Sequence, residues 1–364
     1  MSTADRPRGA DLAREWLRAG SADLPLPGHG ATRARWSGLT EMCAHDVSAG
    51  RLVEAHADAD AILAEIEGTR VAPGEFWGVW AAEPPMPRVT ARRSVAGGKG
   101  WVLDGVKAWC SGAAVCTHAL VTALDDDEPR LFAVDLRHPG VSARADGWAH
   151  PGMAETGTTA VEFRDVPART VGDRRSYLDR PGFWHGGIGV AACWLGAGIA
   201  VARPLLARSS RPDADEHALA HLGAVDVALG GAVWALDAAA REIDGAGSGT
   251  GSDPATASAA DPADAADPAD ASDPVDASDP VAVTGADLVA ARHRAVRVRA
   301  IVEAAVDDTL RRVGRALGAG PLAMDPHHAQ AVLDASVYIR QFHAERDLVG
   351  LGRTARTYGG WARG

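Results

Sequence analysis

Cysteine is scarce in this chain: Cys43, Cys110, Cys116 and Cys193 are the four among 364 residues. They have no metal-ligand spacing and are too few for a disulfide framework, so they read as reduced, small apolar side chains in a cytosolic protein. Positive charge is short as well. Lysine and arginine total 37 against 48 acids, and the net charge of −11 with no basic block excludes a nucleic-acid surface. Met1 to Trp16 is charged from Asp5 onward and lacks the apolar core of a secretory signal. One long apolar run exists, at 182–206. His185 and Arg203 interrupt its ends and glycine is heavy within it, so it is expected as the central helix of a bundle rather than a membrane span.

What is present divides by texture. Residues 8–66 read as helical, with a break at Leu24-Pro-Leu-Pro-Gly28 and a second helical region from about Thr32 to Ile66. Glu54 and Asp58, with His45, Asp46, His56 and Asp60, are expected on a solvated helix face rather than around a metal. From Phe76 to Phe163, short runs rich in Val, Thr, Trp and Phe alternate with turn signals, which predicts a small barrel or sandwich. Helices are then expected at 182–206, 214–243, 285–317 and 326–351, since apolar residues return every three or four positions. Between the second and third, Asp-Pro pairs at 261, 267, 273 and 279 give an acidic insert, 245–283, with no apolar face to bury. The expected architecture is therefore α+β: a short helical region at 1–72, a central β-barrel at 73–178 and a four-helix bundle at 179–364.

The stretch Gly100–Ala113 carries the clearest chemistry. Asp104-Gly105 predicts a tight turn between two short strands. After it, Lys107, Trp109 and Ser111 alternate and are expected on one strand face. A flat indole beside a small hydroxyl suits a planar heteroaromatic ligand, although one core tryptophan on an ordinary strand would read the same way.

Taken in order, these motifs resemble the acyl-CoA dehydrogenase family. Trp80-Ala-Ala82-Glu83-Pro84 is similar to its Thr-Glu-Pro strand, and Gly105-Val-Lys107-Ala-Trp109-Cys-Ser111 to its Gly-x-Lys-x-Trp-Ile-Ser/Thr motif. Val161–Pro167 is similar to the strand that leaves the barrel, and Glu345-Arg346-Asp347 to an Arg-Asp pair on the last helix. The resemblance implies FAD between barrel and bundle, with Trp80, Ala82, Trp109 and Ser111 near the ring and Arg208, Gly318 and Gly320 near its phosphates. It also implies a cytoplasmic homodimer or homotetramer, an acyl-CoA or related thioester substrate, and an electron-transfer partner.

The departures concern the base. The family's glutamate follows its Arg-Asp pair at a distance that leads here to Ala355, and no acid lies between Gly352 and Tyr358. Glu83, Glu155 and His185 are the remaining candidates, a histidine being able to work near neutral pH without a large shift. His343 is a further polar group on the last helix. Three readings stand: an acyl-thioester dehydrogenase, a flavin monooxygenase or oxidase that needs no α-proton base, and an inactive subunit of a mixed oligomer.

Overall fold

The computed structural model describes residues 9–82, 88–94, 100–144, 148–247 and 285–358. Glu83 and most of the acidic insert lie outside the described residues. Three helices come first, α1 (Gly9–Arg18), α2 (Thr32–His45) and α3 (Val47–Glu67). The helical region expected from about Thr32 to Ile66 consists of two helices, because Asp46 is extended and its side chain accepts the Ala49 N–H, starting a new helix.

Seven strands follow: β1 (Trp77–Trp80), β2 (Val89–Arg93), β3 (Trp101–Cys110), β4 (His118–Asp125), β5 (Glu128–Asp135), β6 (Val141–Ala143) and β7 (Thr159–Thr170). The pairings β4–β2, β2–β3, β3–β7, β7–β5 and β5–β4 close a ring, with β1 added to β4 and β6 to β7. The expected barrel is there. Its interior holds Trp80, Trp101, Leu103, Phe132 and Phe163, aromatic side chains whose buried area dominates a small core.

Two details of β3 differ from expectation. Asp104-Gly105 is no hairpin turn, for β3 runs straight through it. The register against β7 slips there, Leu103 facing Val166 and Gly105 facing Phe163, so β7 carries the extra residue, with Asp165 at φ 51°. The second slip lies between Lys107 and Cys110, which face Val161 and Thr159, so here β3 carries the extra residue. Trp109 takes φ 58° at this bulge. Alternation is broken, and Lys107 and Trp109 part. Lys107 is 2% exposed and donates from Nζ to the Thr122 carbonyl and hydroxyl at 2.8 and 2.7 Å, while Trp109 is 61% exposed.

The C-terminal helices are α4 (Pro181–Ser209), α5 (Glu216–Gly247), α6 (Gly285–Leu317), α7 (Ala319–Met324), α8 (Pro326–Tyr338) and α9 (Glu345–Tyr358). α4 is the central one: Trp194, Leu195, Val201 and Leu205 are buried against α2, α5, α6 and α8. Among the described residues two helices, α4 and α5, are long and apolar enough to cross a membrane, where a single run was expected. α4 is covered by its neighbours, whereas α5 leaves Val227 76% and Trp234 75% exposed. The expected helix over 326–351 breaks at 339–344. Arg299 donates to the Gln341 carbonyl at 3.2 Å, and Arg340 turns to Glu303 and Asp307 of α6, so side chains from α6 hold the kink.

Gly105 sits at φ 123°, and an added Cβ would run into the Arg88 carbonyl just before β2. Gly105→Ala should lower stability by about 2 kcal/mol or more through strain and overlap together, read as the shift in the urea unfolding midpoint.

Candidate functional site

Trp109 and Ser111 stand at the end of β3, where the chain leaves the barrel. The bulge turns the indole outward, and a tryptophan at positive φ costs about 1–2 kcal/mol, a strain that the surrounding pairing must hold. Ser111 is fixed from two sides. Its carbonyl accepts the Trp80 Nε1–H at 2.9 Å, and its hydroxyl lies 3.0 Å from that of Thr158. Trp80 itself is buried in the barrel, so it supports the site rather than facing a ligand. Ala82, half-buried, follows β1 as irregular chain.

The segment 148–158 carries this arrangement to the bundle. Thr156 Oγ1 lies 2.7 Å from Thr158 Oγ1 and donates to the Met153 carbonyl at 2.6 Å, while the Gly112 N–H donates to the Thr156 carbonyl at 2.9 Å. Met153 N–H in turn donates to Asp334 Oδ1 of α8 at 2.6 Å, and Gln330 reaches the same oxygen at 2.7 Å. At Gly152 an added Cβ would overlap the Leu333 carbonyl, so the segment lies directly on α8. Thr156, Thr158 and Asp334 were not among the expected site residues. The run Thr156-Gly-Thr158-Thr159 leading into β7 was the signal available for them.

The acids of α3 are not a solvated face. Glu54 is buried and paired with Arg51. Burial raises its pKa, opposed by Arg51. Asp58 is raised too, by burial against the pull of Arg180 and Arg35, and its carboxyl abuts Gly186 of α4. Glu65 pairs with Arg180 and accepts the Gly182 N–H at 3.2 Å at the start of α4.

The expected candidates scatter. Glu155 is exposed and accepts the Gly9 N–H at 2.8 Å, which ties α1 to the 148–158 segment. His185 is half-buried, and burial with Arg294 and Arg180 pushes its pKa down to about 4, so it is a weak base at neutral pH. His343 falls in the kink after α8 rather than on a helix, exposed and 3.5 Å from Asp347. Arg346 and Asp347 lie on α9, beyond that kink, and the buried acid of the preceding helix is Asp334. Arg208 ends α4 with an exposed side chain 3.9 Å from Asp215. Gly318 has φ 68° before α7, which contains Gly320, and both are open to solvent-side space. Among the described residues no three metal-binding side chains cluster. A cleft of about 670 Å³ lined by Arg14, Arg18, His56, Arg70 and Phe76 includes neither Trp109 nor Ser111.

A family model described as the acyl-CoA dehydrogenase middle domain matches residues 85–166, which span β2 to β7. The chain has the acyl-CoA dehydrogenase-like fold. Solved structures of this fold match nearly its whole length. Dibenzothiophene monooxygenase (TdsC) from Paenibacillus sp. A11-2 is 17% identical with a TM-score of 0.66, covering 94% of each chain. The nitrososynthase from Micromonospora carbonacea var. africana is 18% identical with a TM-score of 0.69, covering 97% of this chain and 91% of its own. Methanesulfinate monooxygenase MsuC from Pseudomonas fluorescens is 16% identical with a TM-score of 0.66, covering 98% and 97%. At such identities the likeness is one of fold. No curated protein sequence matches. Within this acyl-CoA dehydrogenase-like fold, the Trp109–Ser111 corner faces outward where the barrel meets the segment lying on α8.

Burial pushes the Asp334 carboxyl up to about 6, against the hydrogen bonds from Met153 and Gln330. A carboxyl raised on folding binds a proton as the chain folds, so its stabilising share is lost as pH rises from about 4 to about 6. Relative to Asp334→Asn, wild-type stability should therefore fall across that window by on the order of 1–3 kcal/mol, measured as unfolding midpoints at pH 4.5 and 7.

Proposed function

We propose that this chain is a flavin-dependent monooxygenase that takes reduced flavin and dioxygen, rather than a dehydrogenase of acyl thioesters. The observation that carries this reading is the displayed Trp109 beside the Ser111 hydroxyl, with no carboxylate hydrogen-bonded to either among the described residues. A strained, outward indole next to a fixed hydroxyl fits a flat tricyclic ring, one by contact with its face and the other by a hydrogen bond. Bound reduced flavin would supply the electrons that activate dioxygen. Trp109 and Ser111 would seat the ring, and Arg208, whose ion pair with Asp215 is loose at 3.9 Å, would meet its phosphate.

The acid that stands for the family's Arg-Asp acid is Asp334 in this reading, not Asp347. The base position counted from it falls at Phe342, which is buried, so again no carboxylate is placed for removing an α-proton. That absence disfavours α,β-dehydrogenation and is neutral for oxygenation. TdsC has been solved with FMN and indole, and KijD3 with FMN and a dTDP-amino-keto sugar, which supports FMN over FAD for this chain. The substrate would be a small molecule with an oxidisable nitrogen, sulfur or electron-rich ring.

The exposed face of α5 is proposed as a contact between copies of this chain. Val227 and Trp234 stand on it beside Gly230 and Gly231, where an added Cβ meets nothing and a second helix can come close.

Anaerobic titration decides between the enzymatic readings. Oxidised flavin on the protein should not be bleached by an acyl-CoA panel, while the reduced complex should consume dioxygen when mixed with air; bleaching by an acyl-CoA would refute the oxygenase reading. Trp109→Ala should weaken FMN binding about tenfold or more, measured by fluorescence quenching. For the contact, Val227→Asp with Trp234→Asp should lower the sedimentation mass to that of one chain, with the helical spectrum kept.

A further inference from the structure

The hydrogen bonds between Ser111 and α8 have a direction that the chemistry of hydroxyls fixes. The Met153 carbonyl can only accept, so Thr156 Oγ1, 2.6 Å away, spends its one hydrogen on it. Thr158 Oγ1, at 2.7 Å from Thr156 Oγ1, must then donate to Thr156, which has no hydrogen left. Ser111 Oγ, at 3.0 Å from Thr158 Oγ1, must in turn donate to Thr158. Both threonines are buried, so water does not compete for these hydrogens. Asp334 Oδ1 holds the far end by accepting the Met153 N–H at 2.6 Å, which sets where that carbonyl stands.

We infer that Ser111, its only hydrogen committed to Thr158, meets a bound flavin as a hydrogen-bond acceptor and so selects the reduced ring over the oxidised one. The inference rests on the flavin reading above and adds the redox state that the site recognises. The central ring nitrogen beside the carbonyl-bearing ring is an acceptor when the flavin is oxidised and carries N–H when it is reduced. Against an oxygen offering only lone pairs, the reduced form gains a hydrogen bond and the oxidised form meets an unfavourable pair. Thr156 and Thr158 are positioning residues in this scheme. Each acts by taking up the hydrogen of the group before it.

The test compares equilibrium binding of FMN in its oxidised and anaerobically reduced states to the full chain. Wild type should bind reduced FMN about tenfold or more tighter than oxidised. Thr156→Val removes the acceptor for Thr158, which can then donate to Ser111 and free the Ser111 hydrogen; the preference should shrink by a similar factor, mainly through tighter oxidised binding. Thr156→Ser keeps the hydroxyl and should restore the preference, an effect that a loss of packing alone would not produce. Equal affinities in wild type, or a ratio unmoved by Thr156→Val, would overturn the inference while leaving the flavin reading intact. Failure of wild type to bind FMN in either state would overturn both. Neutron density that places the Ser111 hydrogen away from Thr158 would overturn it without reference to any ligand.

Discussion

The extra residue in β3 between Lys107 and Cys110 is the constraint from which the site follows. With strict alternation the lysine, the indole and the Ser111 side chain would share one side of the sheet. One inserted residue sends Lys107 into the barrel, to Thr122, and leaves Trp109 outside. The strain of a bulky residue at φ 58° is held by pairing on both sides of the bulge and by the Trp80 bond to the Ser111 carbonyl. An indole displayed this way gives up burial that a core position would have provided, on the order of 2 kcal/mol or more. Such a conformation argues for a ligand-facing role more strongly than the residue type does.

Barrel and bundle are joined at the same corner. The segment 148–158 lies on α8 through Gly152 and Asp334, and its two threonines reach back to Ser111. A shift of α8 relative to the barrel would therefore move the hydroxyl as well as the wall beside it. The kink at 339–344 is tied to α4 and α6 by Arg299, which also donates to the Gly187 carbonyl at 2.8 Å. His343 is thus carried on a segment with fixed anchors although its own side chain is exposed.

Much of this was legible in the sequence, and the misses share a cause. Strand runs with Val, Thr and Trp between turn signals marked the barrel, and the all-round apolar character of 182–206 marked the central helix, because burial on every side leaves that imprint locally. The bulge did not, since the inserted residue is defined only against β7. Asp104-Gly105 carried a turn signal that the long pairing with β2 and β7 overrode. Glu54 and Asp58 at helical spacing read as solvated because what buries them comes from elsewhere in the chain: Arg35 and Arg180 accompany Asp58, while Glu54 is closed in with Arg51 of its own helix. The kink after Tyr338 contains neither glycine nor proline, and is held by arginines whose contacts lie on α4 and α6.

The same buried charges bear on what the protein can accept. Here α3 holds Arg51, Glu54 and Asp58 in the interior, with the Asp58 carboxyl beside Gly186 of α4. Tyr338 adds a buried hydroxyl with no partner. These groups already sit out of water, Glu54 against Arg51 and Asp58 near Arg180 and Arg35, so a hydrocarbon chain pushed among them would separate paired charges at a cost of several kcal/mol. A compact molecule with donors and acceptors of its own would face no such penalty. The polarity of α3 and the lack of a carboxylate at Phe342 thus weigh in the same direction, through independent parts of the chain. Both support the proposed oxygenase over a dehydrogenase of fatty acyl thioesters.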